Sequence, residues 1–129
     1  MNISSTFHSP ETTADAEAIY RESKHPIYLS GGQEVVLRLG HELEHISDLI
    51  DLSNIDELHG VHAEGSTLSI GAGEKHAAIA GSAVVAHKAP VLIELASNIG
   101  DSQTRNRGTI GGAIASKTRS SDWNAALLA

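Results

Sequence analysis

The sequence contains no cysteine among its 129 residues. This absence excludes disulfides, thiolate nucleophiles, structural cysteine-zinc sites and any iron–sulfur cluster ligated by this chain. Aromatic residues are also scarce, with one Trp, two Tyr and one Phe. The core is therefore expected to be aliphatic, with few rings to stack on bases or sugars. Any redox centre must be an organic cofactor or belong to a partner.

Basic residues are outnumbered, with 9 Lys and Arg against 16 Asp and Glu and a formal net charge of −7. A phosphate backbone would be repelled, so nucleic acid is not expected as a partner. No apolar stretch approaches the length of a membrane span, and the N-terminus lacks the basic and apolar regions of a secretion signal. We therefore expect a soluble cytoplasmic protein. The length suits one domain or a piece of one.

The apolar pattern changes near residue 57. Before it, helices alternate with short buried strands, and after it an antiparallel hairpin precedes several helices. The elements expected in the first part are a helix over 12–23, a strand over 27–29, a helix over 34–39 that stops at Gly40, a strand over 49–52 and a turn over 53–56. Those expected in the second part are a hairpin over 58–63 and 67–70, helices over 75–81 and 82–98, the latter with either a kink or a restart at Pro90, a glycine-rich segment over 100–112 and a last helix near Ser121. This change of pattern divides the chain into 1–57 and 58–129.

The pentapeptide HELEH, His41 to His45, fits the zinc-hydrolase pattern H-E-x-x-H. On a helix, both histidines would point to a single Zn²⁺, and Glu42 could act as general base on metal-bound water. Candidates for the third ligand are His59, His62 and Glu64. Because Gly40 is expected to stop the preceding helix, we interpret the pentapeptide as a polar connector. It is predicted not to form an uninterrupted helix that brings both histidines to one metal.

Two Gly-Gly pairs carry more functional information. Gly31-Gly32 follows a strand, and Gly111-Gly112 lies inside the run RNRGTIGGAIAS. Without Cβ atoms, backbone N–H groups at such pairs can face an anion, for which a pyrophosphate is the natural candidate, and a following helix adds a favourable dipole. Glycines also serve turns without any ligand, which is the simpler interpretation of an isolated pair. Neither pair matches the Rossmann or Walker pattern.

The order of the motifs resembles one family. SGGQEVVLRL, LIDLSNIDELHGV, LSIGAGEKHAAIA, IGDSQTRNRGTIGGAIAS and SSDWNAALL together are similar to the FAD-binding medium subunit, or middle domain, of molybdenum hydroxylases of the xanthine dehydrogenase and carbon monoxide dehydrogenase family. The resemblance runs from about residue 27 to the C-terminus, and Q-x-R-N-R-G-T-I-G-G is its most specific part. It implies an α+β fold of the PCMH type. In that fold a small α/β subdomain precedes a second α+β subdomain, of which this sequence contains the incomplete start, and FAD lies between them.

The same resemblance implies the cofactor-binding residues. They are Ser30, Gly31, Gly32, Gln33 and Glu34 around the FAD pyrophosphate, Thr109, Ile110, Gly111, Gly112 and Ala113 in the second loop, and Asp122 near the flavin and ribityl chain. Asp122 is equally a candidate N-cap of the last helix. Arg105 and Arg107 could neutralise phosphate or line a subunit surface. No side chain needs to act as acid, base or nucleophile, because the cofactor carries the redox chemistry.

The chain departs from the family pattern at several positions. Gln33 and Glu34 replace a small hydroxyl residue and an Asp or Asn, Ala113 replaces a common Asn, and the stretch 117–121 differs, with Arg119 where a proline is common. Lost side-chain hydrogen bonds weaken the grip on FAD, whereas contacts from backbone N–H groups survive. The later strands and the C-terminal domain of the family are missing from this sequence. We therefore do not expect the chain alone to hold FAD tightly or to be active.

The resemblance implies a function as the FAD-binding component of a molybdenum-containing hydroxylase or dehydrogenase, which is an oxidoreductase. Electrons would pass from iron–sulfur clusters of a partner subunit through FAD to NAD or another acceptor, with a molybdopterin subunit as a further partner. A first alternative is a truncated, non-catalytic fragment that serves as an assembly or interaction module and self-associates through an uncovered apolar surface. The second alternative is a zinc hydrolase based on HELEH.

Overall fold

A computed structural model describes residues 5–42, 45–116 and 121–129 of the chain. Its helices are α1 (Thr13–Glu22), α2 (Val35–Glu42), α3 (His76–Ala80), α4 (Ala83–Lys88), α5 (Pro90–Ser97), α6 (Ser102–Arg107), α7 (Ile110–Ala115) and α8 (Asp122–Ala126). Its strands are β1 (Thr6–His8), β2 (Pro26–Leu29), β3 (Asp48–Asp51), β4 (Val61–Glu64) and β5 (Thr67–Ile70), and a 3-10 turn spans Asp56–Leu58. The architecture is α+β, as predicted.

A three-stranded parallel sheet forms the N-terminal part, with the strand order β1-β3-β2. The central strand β3 contributes Ile50, which is fully buried and packs with Ala16 of α1 and with Ile55. Helix α1 begins where predicted, because the Thr12 side chain accepts a hydrogen bond from the Asp15 N–H at 3.1 Å and caps the helix. The helix ends before Pro26, which starts β2.

Strand β1 was not anticipated from the sequence, since three residues are too few to show an alternating pattern. A side-chain network joins β1 to the sheet: His8 Nε2 lies 2.7 Å from Asp48 Oδ1, and Ser47 Oγ donates to Asp48 Oδ2 at 2.6 Å. The hydrogen bonds from Ser47 and His8 hold the pKa of Asp48 below its ordinary value. The first strand is therefore attached to the central strand by both backbone and side chains.

Helix α2 corrects the prediction that Gly40 is a stop. The helix continues through Gly40 and includes His41 and Glu42. Glycine is tolerated inside a helix at a cost of about 1 kcal/mol relative to alanine, so a glycine without a following turn signal does not end a helix. The interpretation of the whole pentapeptide as a connector is thus wrong for its first two residues, which are helical.

The C-terminal part is built on the β4–β5 hairpin and a second core. The hairpin closes as expected through Gly65, whose φ of +56° suits a tight turn, although β4 starts at Val61 rather than at residue 58. The second core contains Ile79, Val85, Ala96, Ile110 and Trp123. Helices α4 and α5 are separated at Ala89, so the predicted restart at Pro90 is confirmed. The boundary between residues 57 and 58 stays a prediction.

The glycine-rich segment 100–112 contains helical structure that the sequence analysis did not assign. Asp101 caps α6 through a hydrogen bond from the Thr104 N–H at 2.7 Å, and Thr109 caps α7 through a bond from the Gly112 N–H at 3.1 Å. Each helix has only six residues, too few for a periodic pattern to be visible. Within the three described ranges, no helix combines the length and apolar character that crossing a bilayer requires.

Candidate functional site

Two loops, which we call loop 1 (residues 30–34) and loop 2 (residues 109–113), meet between the two parts of the fold. Ser30 Oγ lies 2.9 Å from Thr109 Oγ1, within hydrogen-bond distance. A Cβ on Gly31 would overlap the carbonyl oxygen of Arg107 and lie 2.7 Å from the Gly108 Cα. Loop 1 can therefore approach the segment that enters loop 2 only because residue 31 has no side chain.

Loop 2 is packed equally closely, but against its own part of the protein. The Gly111 N–H donates to the Ala72 carbonyl at 2.8 Å, and a Cβ on Gly111 would lie 2.6 Å from that oxygen. The Ile110 N–H donates to the Glu74 carbonyl at 3.0 Å. The second glycine pair thus allows a backbone-to-backbone contact with the segment that follows β5.

The two loops differ in what their backbone N–H groups do. In loop 2, the N–H groups of residues 110–113 all donate to protein oxygens, namely those of Glu74, Ala72 and Thr109. In loop 1, by contrast, the N–H groups of Gly31, Gly32 and Gln33 have no acceptor within the described part of the chain. The expectation that both loops offer their amides to an anion is therefore wrong for residues 110–113, and only loop 1 has unbonded amides of the kind that it requires.

A cavity of about 770 Å³ opens where the loops meet. The predicted cofactor-binding residues that line it are Ser30, Gly31, Gly32, Gln33, Glu34, Thr109, Gly111, Gly112, Ala113 and Asp122. Ile110 does not line it, because its side chain is buried in the second core. An apolar residue between a cap and a glycine pair packs inward, so Ile110 contributes to the stability of loop 2 rather than to the cavity wall.

Several cavity residues were missed by the sequence analysis. They include Tyr20, Tyr28, Leu58, Ala72, His76, Ile99, Thr104, Ser116, Ser121 and Trp123. The rings of Tyr20 and Tyr28 stack at 4.7 Å between centroids, and burial followed by the nearby Tyr20 raises the pKa of Tyr28. Two tyrosines in a chain with few aromatics were the available signal, but the spacing between them gave no reason to pair them.

A buried histidine and the single tryptophan form one wall of the cavity. His76 is 4% exposed and Trp123 is 1% exposed. The Trp123 Nε1–H donates to His76 Nδ1 at 3.1 Å, and the two rings lie 5.9 Å apart between centroids. Burial lowers the pKa of His76, so its ring is neutral near pH 7. The pair connects α3 to α8, the helix that carries Asp122.

The start of α8 also corrects one alternative role for Asp122. Ser121 occupies the N-cap position and Asp122 is the first helical residue, exposed to solvent and at the cavity edge. The Ser121 side chain makes no capping hydrogen bond, and its buried Oγ has no hydrogen-bond partner among the described residues. A buried hydroxyl without a partner is unusual in a folded protein and indicates a site for a ligand or a water molecule.

The two arginines are not equivalent. Arg105 donates from Nη1 to the carbonyl oxygens of Ile99 at 2.9 Å and Gly100 at 3.1 Å, so it holds the turn between α5 and α6. This use of the guanidinium argues against the phosphate role that was considered for it. The Arg107 side chain is exposed and does not line the cavity. Neither arginine therefore lines the cavity between the loops.

No group of three or more His, Asp or Glu side chains within 5–42, 45–116 and 121–129 is arranged to hold a metal ion. His59, a candidate third ligand, instead has Nδ1 3.9 Å from Glu74 Oε1, and that oxygen accepts a hydrogen bond from the Gly60 N–H at 2.7 Å. Leu43 and Glu44, in the middle of the pentapeptide, lie outside the described residues. The absence of an uninterrupted helix from His41 to His45 stays a prediction.

Comparisons of the sequence with known proteins give a consistent result. Residues 2–129 match the family model described as the FAD binding domain in molybdopterin dehydrogenase. The chain is 36% identical over 110 residues to the carbon monoxide dehydrogenase medium chain of Hydrogenophaga pseudoflava, which covers 84% of this chain and 38% of that protein. It is 30% identical over 118 residues to the xanthine dehydrogenase FAD-binding subunit of Escherichia coli O157:H7, which covers 91% of this chain and 40% of that subunit.

The fold gives the same result. A solved structure of carbon monoxide dehydrogenase from Hydrogenophaga pseudoflava, in a form that lacks the Mo-pyranopterin moiety of the molybdenum cofactor, matches with a TM-score of 0.89 and 33% identity. The match covers 95% of this chain and 43% of that chain. This chain therefore spans about two fifths of the length of these relatives. The resemblance and the fold class inferred from the motifs are confirmed.

Proposed function

Because this chain belongs to the family of FAD-binding domains found in molybdopterin dehydrogenases, for which FAD is the cofactor, we propose that it binds FAD in the cavity between loop 1 and loop 2. The observation that carries the proposal is that Gly31, Gly32 and Gln33 line the cavity and that their N–H groups have no acceptor among the described residues. Consecutive backbone N–H groups of this kind form a concave site for an anion.

The pyrophosphate of FAD fits loop 1 on chemical grounds. Loop 1 precedes α2, so the partial positive charge of the helix N-terminus adds to that of the loop amides. Backbone groups provide this interaction, and the departures at Gln33 and Glu34 from the family pattern therefore leave it intact. The Ser30–Thr109 contact fixes loop 1 against loop 2 and defines the position of the anion relative to the rest of the cavity.

The end of the cavity at α8 fits the hydroxyl groups of the cofactor. The Asp122 carboxylate is exposed at the edge of the cavity and can accept hydrogen bonds, and the buried Ser121 Oγ has no partner among the described residues. A ribityl chain carries several hydroxyls that can donate to a carboxylate. The residues present thus match both the anionic and the hydroxylated portions of FAD.

In the proposed complex, the bound flavin would supply electron transfer, while the protein binds and orients it. We propose that the chain is the flavin component of an oxidoreductase, connecting iron–sulfur clusters of a partner subunit to NAD or another acceptor. The names of the relatives support this role, since they denote a medium chain and an FAD-binding subunit of dehydrogenases. The proposed partners are an iron–sulfur subunit and a molybdopterin subunit.

Exposed apolar side chains favour an additional role in assembly. Val36 and Leu37 on α2 are 60% and 75% exposed, and Leu128 at the end of the chain is 90% exposed. Apolar groups of this kind are often covered by another protein surface. An assembly module without FAD is therefore the second candidate function. Sedimentation at increasing concentration, with and without FAD, measures the self-association on which that candidate depends.

The FAD proposal is tested by titrating the chain with FAD. We expect quenching of flavin fluorescence, quenching of the Trp123 emission and a higher melting temperature, because a ligand that binds only the folded state stabilises it. Loss of one hydrogen bond to a charged group lowers affinity by about tenfold or more. Asp122→Asn is therefore expected to weaken FAD binding by about this factor.

Asp56→Asn is the matched control, because Asp56 is an exposed aspartate outside the cavity and its substitution changes the net charge equally. It should leave FAD affinity unchanged. The absence of both quenching and a thermal shift at high FAD concentration would refute the cofactor assignment for this chain and favour the assembly module. Equal weakening by both variants would show that the effect is not specific to Asp122.

A further inference from the structure

The segment 71–76, which follows strand β5, is bonded on two sides. On one side, the Glu74 carbonyl accepts a hydrogen bond from the Ile110 N–H at 3.0 Å. The His76 N–H donates to the Gly108 carbonyl at 3.1 Å. Gly108 comes directly before loop 2 and Ile110 lies within it, so this side of the segment holds loop 2 in place.

The other side of the segment holds residues 58–60, which we call the junction because they run from the core of the N-terminal part to strand β4. The Gly73 N–H donates to the Leu58 carbonyl at 2.7 Å, and the Gly71 N–H donates to the Gly60 carbonyl at 2.8 Å. A Cβ on Gly71 would lie 2.4 Å from the Leu58 carbonyl oxygen. The two backbones approach this closely only because residue 71 has no side chain.

Glu74 takes part in both sets of contacts. Its carbonyl holds Ile110, and its carboxylate oxygen Oε1 accepts a hydrogen bond from the Gly60 N–H at 2.7 Å. A hydrogen bond to a charged acceptor is about twice as strong as a neutral one. The Glu74 side chain is only 15% exposed, so water competes little for this carboxylate. A single residue thus connects the junction to loop 2.

The carboxylate matters because the backbone at Gly60 is unusual. Its φ of +114° lies in a region that residues with a side chain rarely adopt, and a Cβ there would lie 2.7 Å from His62 Nε2. Among the described residues, the Glu74 carboxylate is the acceptor of the Gly60 N–H. Its removal leaves that N–H without a protein partner, and the junction then loses the contact that selects this conformation.

We propose that Glu74 is a positioning residue for the cavity. By holding Gly60 with its carboxylate and Ile110 with its carbonyl, it fixes loop 2, and with it the width of the cavity, relative to the part of the fold that carries loop 1. Glu74 does not line the cavity, so it acts through loop 2 and does not touch the ligand. This inference rests on the proposed function, because FAD affinity is one of its two readouts.

The test compares Glu74→Ala with Glu74→Gln. Alanine removes the acceptor, so FAD affinity should fall about tenfold. In the ligand-free chain, exchange of the Gly60, Ile110 and Gly111 amides should become faster by about tenfold or more. The glutamine side-chain oxygen can still accept from Gly60, so Glu74→Gln should restore slow exchange in loop 2 and keep FAD affinity within about threefold.

Two further variants control for lost stability and for charge. Thr12→Ala removes the cap of α1, away from the junction, and should lower the melting temperature by about 3–6 °C without changing FAD affinity, measured well below the transition. Glu94→Ala removes an exposed carboxylate that does not line the cavity and changes the net charge equally. It should also leave FAD affinity unchanged.

The outcomes distinguish this inference from the proposed function. If the unsubstituted chain does not bind FAD, the proposed function fails, and the exchange measurements, which need no ligand, still decide whether Glu74 holds loop 2. If FAD binds equally well to Glu74→Ala, or if exchange changes only at Gly60, the positioning role is refuted while the function stands. Equal weakening of FAD binding by Thr12→Ala or Glu94→Ala also refutes it.

A further variant keeps the proposal testable should Glu74→Ala fail to fold. Glu74→Asp retains the charge but is shorter by one methylene group, so its carboxylate lies farther from the Gly60 N–H. It should weaken FAD binding and speed the exchange of Ile110 more than Glu74→Gln does. The opposite order would show that charge at position 74, and not the contact with Gly60, determines binding.

Discussion

Loop 1 and loop 2 have nearly the same glycine pair in sequence, but their backbones are used differently. The N–H groups of residues 110–113 in loop 2 are bonded to protein oxygens, while those of Gly31, Gly32 and Gln33 in loop 1 have no acceptor among the described residues. The acceptors for loop 2 come from Ala72 and Glu74, far away in the sequence, and from its own cap. A glycine pair therefore indicates that another group approaches the backbone closely. Whether that group belongs to the protein or to a ligand depends on what the fold places next to the pair.

The largest effect is expected where loop 1 touches the segment before loop 2. In Gly31→Ala the new Cβ would overlap the Arg107 carbonyl oxygen and force the loops apart. We expect a loss of about 1–3 kcal/mol in the free energy of unfolding, and a loss of FAD affinity of about a hundredfold because the loop amides move by ångströms. Urea unfolding and FAD titration measure the two losses.

Gly81→Ala is the matched control. Its Cβ would lie 3.5 Å from the Ala77 carbonyl oxygen, an ordinary contact, and the backbone at Gly81 has a φ of −92° that alanine adopts readily. This variant should gain about 0.4–1 kcal/mol in stability and keep its FAD affinity. If Gly31→Ala bound FAD as tightly as Gly81→Ala does, the claim that loop 1 binds FAD and differs in this from loop 2 would be refuted.

A smaller effect, but a more direct one, is expected in amide hydrogen exchange. Without FAD, the N–H groups of Gly31, Gly32 and Gln33 should exchange rapidly, and those of Gly111 and Ala113 slowly, because only the latter are bonded. Added FAD should slow exchange in loop 1 by about tenfold or more and change loop 2 by about twofold or less. Equal slowing of exchange in both loops would mean that loop 1 is not the loop whose amides bind FAD, and that the hydrogen-bond pattern does not distinguish the two loops.

The smallest effect is expected in the pH dependence of stability. It concerns His76, which packs against the segment that enters loop 2. His76, which contacts Gly108, has a lowered pKa in the folded chain, so the unfolded chain takes up a proton first as the pH falls below about 6.5. Stability should therefore be fully present above that pH and decrease below it, with a slope of at most about 1.4 kcal/mol per pH unit for one proton. Melting temperatures between pH 5 and 8 measure this slope.

His76→Asn should reduce the slope, and the same substitution at the exposed His87 is the matched control. The measurement also sharpens the comparison between the loops. Binding of the FAD pyrophosphate to the loop 1 amides involves no titrating side chain, and this pyrophosphate, esterified at both ends, does not titrate between pH 5 and 8. The affinity for ADP-ribose, which carries the same kind of pyrophosphate without the flavin, should therefore change little over this range. If it followed the titration of His76, the two loops would not act separately.

Elements with a strong local signal were predictable. The start of α1 near residue 12, the hairpin around Gly65 and the restart at Pro90 depend on residues within a few positions of the feature. Elements without such a signal were missed, namely the three-residue β1 and the six-residue α6 and α7. Gly40 does not end α2 as predicted, because the cost of a glycine inside a helix is small compared with the tertiary packing that stabilises the helix.

The loops of the candidate site could be predicted from their motifs, but the details of their packing could not. The burial of Ile110 depends on Ile79, Val85 and other core residues that the motif does not contain. The bond between His76 and Trp123 joins residues 47 positions apart. Sequence patterns of short range carry no information on such pairs, so the contact between His76 and Trp123 became visible only in the fold.

The contact between Ser30 Oγ and Thr109 Oγ1 joins residues that are 79 positions apart. Closing a chain loop of that length costs conformational entropy that local contacts do not repay, so this contact is expected to form late in folding. Each part of the chain can then acquire its own sheet and core before the loops meet. Cofactor capture would follow the completion of the fold, and FAD would slow the unfolding of the finished protein more than it accelerates folding.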